Sequence, residues 1–289
     1  MKPFTIYYFR RESFSFQQQK LVEAVVEVTK PDMIFLLGAS WYRRRTESIF
    51  NDPAPTSQNT SDYFLLILIR DLSNRELHEW QDKIENRCKL IMPVTTIVLQ
   101  TATYEEWLQA GHRFALTVWQ SAVPIYNSAN LFREVSKSVA ATGIDVDFEK
   151  QFADGLTKAK EFLAGSELFQ VRKQNTMAAF MLHQSAEQSL RTLLKTGTGF
   201  HANTHNIGRL LRYASLVSYQ LPDIFSQKNE QDKRLFNLLQ NAYIDARYKD
   251  DYKINSDDLL CLTEKVRHIQ EILSDAGKSL LNTSVPASK

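Results

Sequence analysis

The chain has 289 residues and a mass of 33.4 kDa, more than one average domain and less than three, so two domains are expected. With 43% hydrophobic and 24% charged residues, it carries enough apolar material for a core, which excludes a disordered chain, a collagen and a disulfide scaffold. The net charge is +2, and the basic and acidic groups balance in each part, 16 and 16 up to residue 145 and 19 and 17 beyond it. Neither part is therefore the basic slab that sequence-independent DNA binding requires.

The first part alternates helical and β-rich segments. Residues 17–30 repeat apolar side chains at helical spacing (Leu21, Val22, Val25, Val26, Val28) and predict a helix. Asp32 to Leu37 predicts a strand stopped by Gly38. Trp41 to Ser61, polar and interrupted by Pro53 and Pro55, predicts a long loop. A second strand is expected over Tyr63 to Ile69. A helix follows from Asn74 to Cys88, capped by Ser73 with Glu76 as the capping-box partner. Ile91 to Leu99, rich in β-branched residues, predicts a third strand. Tyr104 to Gln120 reads as helix with a break near Gly111, and Val123 to Tyr126 as a short strand.

From residue 148 onward the pattern is helical. Five helices are expected, over residues 148–164, 174–195, 206–218, 231–248 and 257–280, with Gly197, Gly199 and Pro222 as breakers. Short connections favour antiparallel packing in a bundle. The expected organisation is an α+β chain: an N-terminal α/β domain with a mixed sheet over 1–128, a linker over 129–147, a helical domain over 148–280, and a frayed tail over 281–289.

Cys88 and Cys261 form no CxxC pair, so a thiolate zinc site is not expected, and two free thiols suit a reducing compartment. The N-terminus (Met1-Lys2-Pro3-Phe4-Thr5, then Arg10-Arg11) has no apolar leader. Apolar runs such as Phe64 to Ile69 are strand-sized, far short of a membrane span. A cytoplasmic location and no membrane partner are expected.

Two regions carry motifs. In the first, Leu37-Gly38-Ala39-Ser40 ends a strand, and Ser61-Asp62-Tyr63-Phe64-Leu65 opens another. This order, spanning roughly residues 15–127, resembles the nucleotidyltransferase fold of the DNA-polymerase-β type, whose first strand ends in Gly-Ser and whose next opens with Ser-Asp-x-Asp. Gly38, Ser40 and Asp62 match that motif in degenerate form. Nucleotidyl transfer needs carboxylates on adjacent strands to hold Mg²⁺ against a triphosphate. Two acids with one residue between them share a strand face, but Phe64 stands where the second should be. The later strand, Pro93-Val94-Thr95-Thr96-Ile97, offers no third acid. The resemblance therefore implies a transferase-like domain that has lost its metal site. Mg²⁺ enters only if Asp62 belongs to a working site with a loop acid such as Asp52; otherwise no cofactor is expected. On the residues alone, Gly38 and Asp62 read equally as the end and the start of strands. Arg43-Arg44-Arg45, beside Trp41 and Tyr42, read as phosphate-facing or as a solvated loop.

In the second region, His183 and Glu187 fall four apart inside the apolar arc of a helix that also holds Ala179, Phe180, Leu182, Ala186, Leu190, Leu193 and Leu194. An ionisable pair placed there is costly unless satisfied, so it reads either as a fixed core pair or as part of a ligand site. The stretch from Ala179 to Leu194 resembles the second helix of HEPN domains, Thr204 to Leu211 the start of the family's next helix, and Asn241 to Tyr248 its fourth. Many members are dimeric ribonucleases with an Arg, four to six residues, then a His that titrates near neutrality. Here Arg247 is followed at that spacing by Tyr252, and no histidine falls in the window. The resemblance implies a nucleotide- or RNA-binding domain, homodimeric through the helical bundle, with a cleft lined by His183, Glu187, Arg191, Lys195, Tyr243 and Arg247. Arginine and lysine would take phosphates there, and an aromatic ring would stack on a base. Two alternatives stay open: a metal-independent ribonuclease with Arg247 and Tyr252 as variant catalytic groups, and a dimeric scaffold without a ligand. His201 and His205 share i,i+4 spacing but straddle a loop and a helix start, so zinc would need ligands that the neighbouring sequence does not supply.

Overall fold

The computed structural model describes residues 16–41, 45–48, 60–128, 148–226, 229–249 and 251–284. The chain divides into two compact units, one ending at Ile144 and the other beginning at Asp145. The expected linker over 129–147 lies outside the described residues.

The first unit runs α1 (Phe16–Thr29), β1 (Met33–Trp41), β2 (Arg45–Ser48), β3 (Thr60–Ile69), α2 (Leu77–Cys88), β4 (Val94–Gln100), α3 (Thr101–Gln109), α4 (Arg113–Ser121) and β5 (Val123–Asn127). The sheet is mixed. Its order is β2-β1-β3-β4, with β5 on β1; β1 is antiparallel to β2, β3 and β5, and β3 is parallel to β4. β3 is buried on both faces from Tyr63 to Ile69. Its Tyr63, Leu65, Ile67 and Ile69 pack with Leu21, Ala24 and Val25 of α1 and Trp80, Ile84 and Cys88 of α2. On the opposite face Phe35 meets Tyr104 of α3 and Trp119 of α4, with ring centroids 5.9 and 6.4 Å apart. Two helical layers thus enclose the sheet.

Three local expectations change. Gly38 does not end β1: the strand continues to Trp41, and the register shifts between Leu36 and Gly38, the kink that a bulge produces. The long loop contains β2. The helix expected from Asn74 starts at Leu77 because Ser73 and Asn74 take left-handed backbone (φ 49 and 60) in a turn, and Glu76 caps it reciprocally with Glu79. The break expected near Gly111 (φ 73) separates α3 from α4.

The second unit is a bundle of α5 (Phe148–Val171), α6 (Asn175–Thr198), α7 (Ile207–Ala214), α8 (Glu230–Tyr248) and α9 (Ser256–Ser284), with a 3₁₀ turn over Leu221–Asp223. Helix α6 is central and packs against α5, α7, α8 and α9. It is therefore buried nearly all round, and its internal hydroxyls need partners. Ser185 Oγ donates to the Ala159 carbonyl (2.9 Å), while Gln270 Nε2 donates to that carbonyl (3.0 Å) and to Ser185 Oγ (2.9 Å). Gly197 lies within α6 rather than breaking it; Gly199, at φ 83, closes the helix with its N–H on the Lys195 carbonyl. Helix α9 continues to Ser284 through part of the expected tail.

Candidate functional site

The site in the helical unit is built where the chain turns back after α6. Gly199 adopts the left-handed conformation that glycine tolerates best. Residues 200–206 then run without regular structure to the cap of α7, where Asn206 Oδ1 accepts from the Arg209 N–H (2.9 Å). The connector lies back along α6: the Thr204 carbonyl accepts from Arg191 Nη2 (2.8 Å), and one turn earlier on α6 His205 reaches Glu187.

Glu187 is the hub. Its side chain is 7% exposed. Arg191 Nη2 lies 3.1 Å from Oε1, and His205 Nδ1 lies 3.1 Å from both carboxylate oxygens. His183 is fully buried, and its Nδ1 approaches Glu187 at 3.7 Å. That approach is not an ion pair. Burial lowers the His183 pKa to about 4, helped by the positive charges of Arg247 and Arg191 and opposed by a bond to the His205 carbonyl. The neutral ring donates Nε2–H to that carbonyl (3.2 Å), which leaves Nδ1 to accept from Gln184 Nε2 (3.4 Å). Glu187 is thus satisfied by Arg191 and His205.

Tyr243 of α8 closes the cluster. Its ring stacks on His205 with centroids 4.3 Å apart and planes 12° apart, and leans on His183 at 5.3 Å. The exposed guanidinium of Arg247 lies 4.3 Å from the same ring, 4.9 Å from Tyr248 and 5.4 Å from Phe180, and its Nε donates to the Tyr243 carbonyl (2.7 Å). Of the six residues expected to line a cleft, His183, Glu187, Arg191, Tyr243 and Arg247 form one contact chain, and Lys195 stands exposed one turn further along α6. His205, which sequence spacing suggested only as a zinc ligand paired with His201, completes the chain. The two residues lie in a non-helical connector, so i,i+4 spacing does not put them on one face. The signal that could have found His205 was the combination of a helix-closing Gly199 and a capped start at Asn206, which sends the connector back over α6.

Tyr252 has separate partners from Arg247. Its hydroxyl donates to the Leu238 carbonyl (3.0 Å), and burial pushes its pKa upward. It helps line an open cleft of about 530 Å³ with Lys233, Arg234, Asn241 and Lys249. All three of those cations are matched by acids: Lys233 lies 2.6 Å from Glu230, Arg234 holds Asp258 through both nitrogens (2.7 and 2.5 Å), and Lys249 lies 2.9 Å from Asp245.

In the first unit Asp62 opposes Ser40 across β1 and β3, and its Oδ2 accepts from Thr95 Oγ1 of β4 (2.9 Å). Phe64, two residues on along the strand, is buried. One carboxylate beside a hydroxyl and a phenyl ring does not fit Mg²⁺, which asks for several carboxylate or phosphate oxygens. Asp52 and Tyr42-Arg43-Arg44 lie outside the described residues. Among the described residues no group of three or more His, Cys, Asp or Glu side chains is placed to hold a metal ion, and no helix is long and apolar enough to cross a membrane.

The model of the HEPN domain family matches residues 153–276 of the helical unit, which hold α6, the connector, α7 and α8. A solved nucleotidyltransferase-like protein from Exiguobacterium sibiricum 255-15 is similar at 12% identity, covering 92% of this chain and 78% of that one, with a TM-score of 0.29. No curated protein matches the chain.

Proposed function

We propose that the protein binds a nucleotide or single-stranded RNA through the α6–α8 site of its HEPN domain and carries out no chemistry on it. One observation carries this reading: the exposed guanidinium of Arg247 is held in place beside a packed His205–Tyr243 stack. A pre-positioned guanidinium offers its planar face and N–H donors to a base of the ligand at little entropic cost. His183 supports the binding role over catalysis, because its ring is buried, neutral and committed to the His205 carbonyl. Tyr252, with a raised pKa, is a poor base at neutrality. In this reading the first unit is a transferase-like scaffold without a metal site. In the same reading the working form is a homodimer that uses the exposed Ile244 and Tyr248 of α8, and the free thiols Cys88 and Cys261 suit a reducing compartment such as the cytoplasm.

The ribonuclease reading retains one observation. His205 is half exposed and oriented by Glu187 through Nδ1, which leaves Nε2 as the proton-accepting nitrogen. A single experiment weighs both readings: titration of the full chain with the four common nucleotides and a short single-stranded RNA in metal-free buffer, with RNA integrity followed alongside. The binding reading expects saturable binding of intact RNA or nucleotide, weakened at least about tenfold by Arg247→Ala, equivalent to about 1.4 kcal/mol. Cleavage abolished by His205→Ala would transfer the assignment to a ribonuclease.

A further inference from the structure

We propose that Arg191, Lys195 and His201 form the phosphate-binding end of the α6 site, taking a phosphate monoester or phosphodiester of the ligand. The proposal rests on the reading of that site as nucleotide- or RNA-binding and names where the phosphate sits.

The geometry follows from the reversal at Gly199. The connector pairs with α6 in descending order: His205 at Glu187, then Thr204 at Arg191. The residues nearest the turn, His201 among them, therefore lie towards the last turn of α6, which carries Lys195. Phe200 and Ala202 point inward and are buried, whereas His201 between them is exposed. Arg191 and Lys195 are four apart on α6 and share a face. One side of that face is held by the acid Glu187; the other presents Lys195 and His201 to solvent. Arg191 is only partly used: Nη2 serves Glu187 and Thr204, and Nε is buried without a hydrogen-bond partner among the described residues.

The local field agrees. His201 is less basic than an ordinary histidine, first through burial and then through the positive charges of Arg191 and Lys195. Those two charges are therefore felt at the His201 ring. An anion placed among the three groups relieves that repulsion and receives charge-assisted hydrogen bonds. The neutral imidazole becomes a better donor as the anion arrives, because the anion favours its protonated form.

The test uses the full chain with AMP, GMP, CMP and UMP against their nucleosides, and inorganic phosphate alone, with His201 followed by imidazole NMR. The expected result is that a nucleotide binds at least about tenfold tighter than its nucleoside, a difference of about 1.4 kcal/mol. Lys195→Ala should remove that preference while leaving nucleoside affinity within about twofold, and Lys195→Arg should restore it. The His201 pKa should rise when the nucleotide is added. Equal affinity for nucleotide and nucleoside, or a preference untouched by Lys195→Ala, overturns the phosphate assignment and leaves the binding reading intact. If no nucleotide or RNA binds, the binding reading fails, and inorganic phosphate decides the assignment alone: a raised His201 pKa upholds it and an unmoved one ends it. Lys195 is exposed, so loss of the fold in Lys195→Ala is not expected.

Discussion

His183 has no exposed surface, and its proton is committed to a backbone carbonyl. The consequence appears in the pH dependence of stability. An unfolded histidine takes up a proton near pH 6.5, whereas in the folded chain His183 does so only at about 4. Between those values the unfolded state holds more protons, so the contribution of His183 is complete above pH 6.5 and is lost as the pH falls towards 4. From pH 7.5 to pH 5 the loss is about 2 kcal/mol. Urea unfolding at the two pH values should show the wild type losing about that much more stability than His183→Gln; equal losses would contradict a buried neutral ring. Glu187 makes the complementary case. It is buried and holds both Arg191 and His205. Glu187→Ala leaves those two groups without their acid and should cost about 3 kcal/mol by denaturant midpoint; a change below about 1 kcal/mol would place the carboxylate in the class of exposed ion pairs. That His183 and Glu187 face inward was legible from their place in an apolar arc. That His205, not His183, supplies the second partner of Glu187 was not, because helical periodicity says nothing about where a connector lies.

Among the elements, α6 shows why periodicity both guides and misleads. A helix buried on most sides has no polar face, so serines and threonines inside the arc resemble surface residues. Ser185 and Ser189 are fully buried, and each hydroxyl ends on a backbone carbonyl. The glycines of the neighbouring helices set how closely the elements approach. A Cβ on Gly277 of α9 would collide with the ring of Phe152 on α5, whereas a Cβ on Gly165 of α5 would meet Met181 Sδ at an ordinary 3.7 Å. Replacing a mid-helix glycine by alanine gains up to about 1 kcal/mol of helix propensity, but overpacking costs typically about 1–3 kcal/mol. Gly277→Ala should therefore lower the melting temperature and Gly165→Ala raise it. Two shifts of the same sign would show that propensity or packing alone governs both sites. Apart from β2, the helix and strand cores were legible. Boundaries moved where local chemistry competed, as at the turn over Ser73-Asn74, where left-handed backbone displaced the cap to Glu76.

For the whole molecule, the division into an α/β unit and a helical unit was legible as a change from β-rich segments to helical repeats. The composition of β3 shows why: a strand buried on both faces reads as one apolar run. β2 was not legible, because the stretch around it is polar and rich in proline and serine. The central claim is that the helical unit binds a phosphate-bearing nucleotide or RNA without metal, through groups that the fold has already positioned. The most direct measurement is the metal-free titration of the full chain with nucleotides and short single-stranded RNA, read as a rise in melting temperature. At a ligand concentration of about 100 times the dissociation constant the folded state gains about 2.7 kcal/mol. The account expects that rise in EDTA and a rise about half as large or smaller in Arg247→Ala at the same ligand concentration. A rise seen only with Mg²⁺ and removed by Asp62→Ala, or no rise with any ligand, would contradict it.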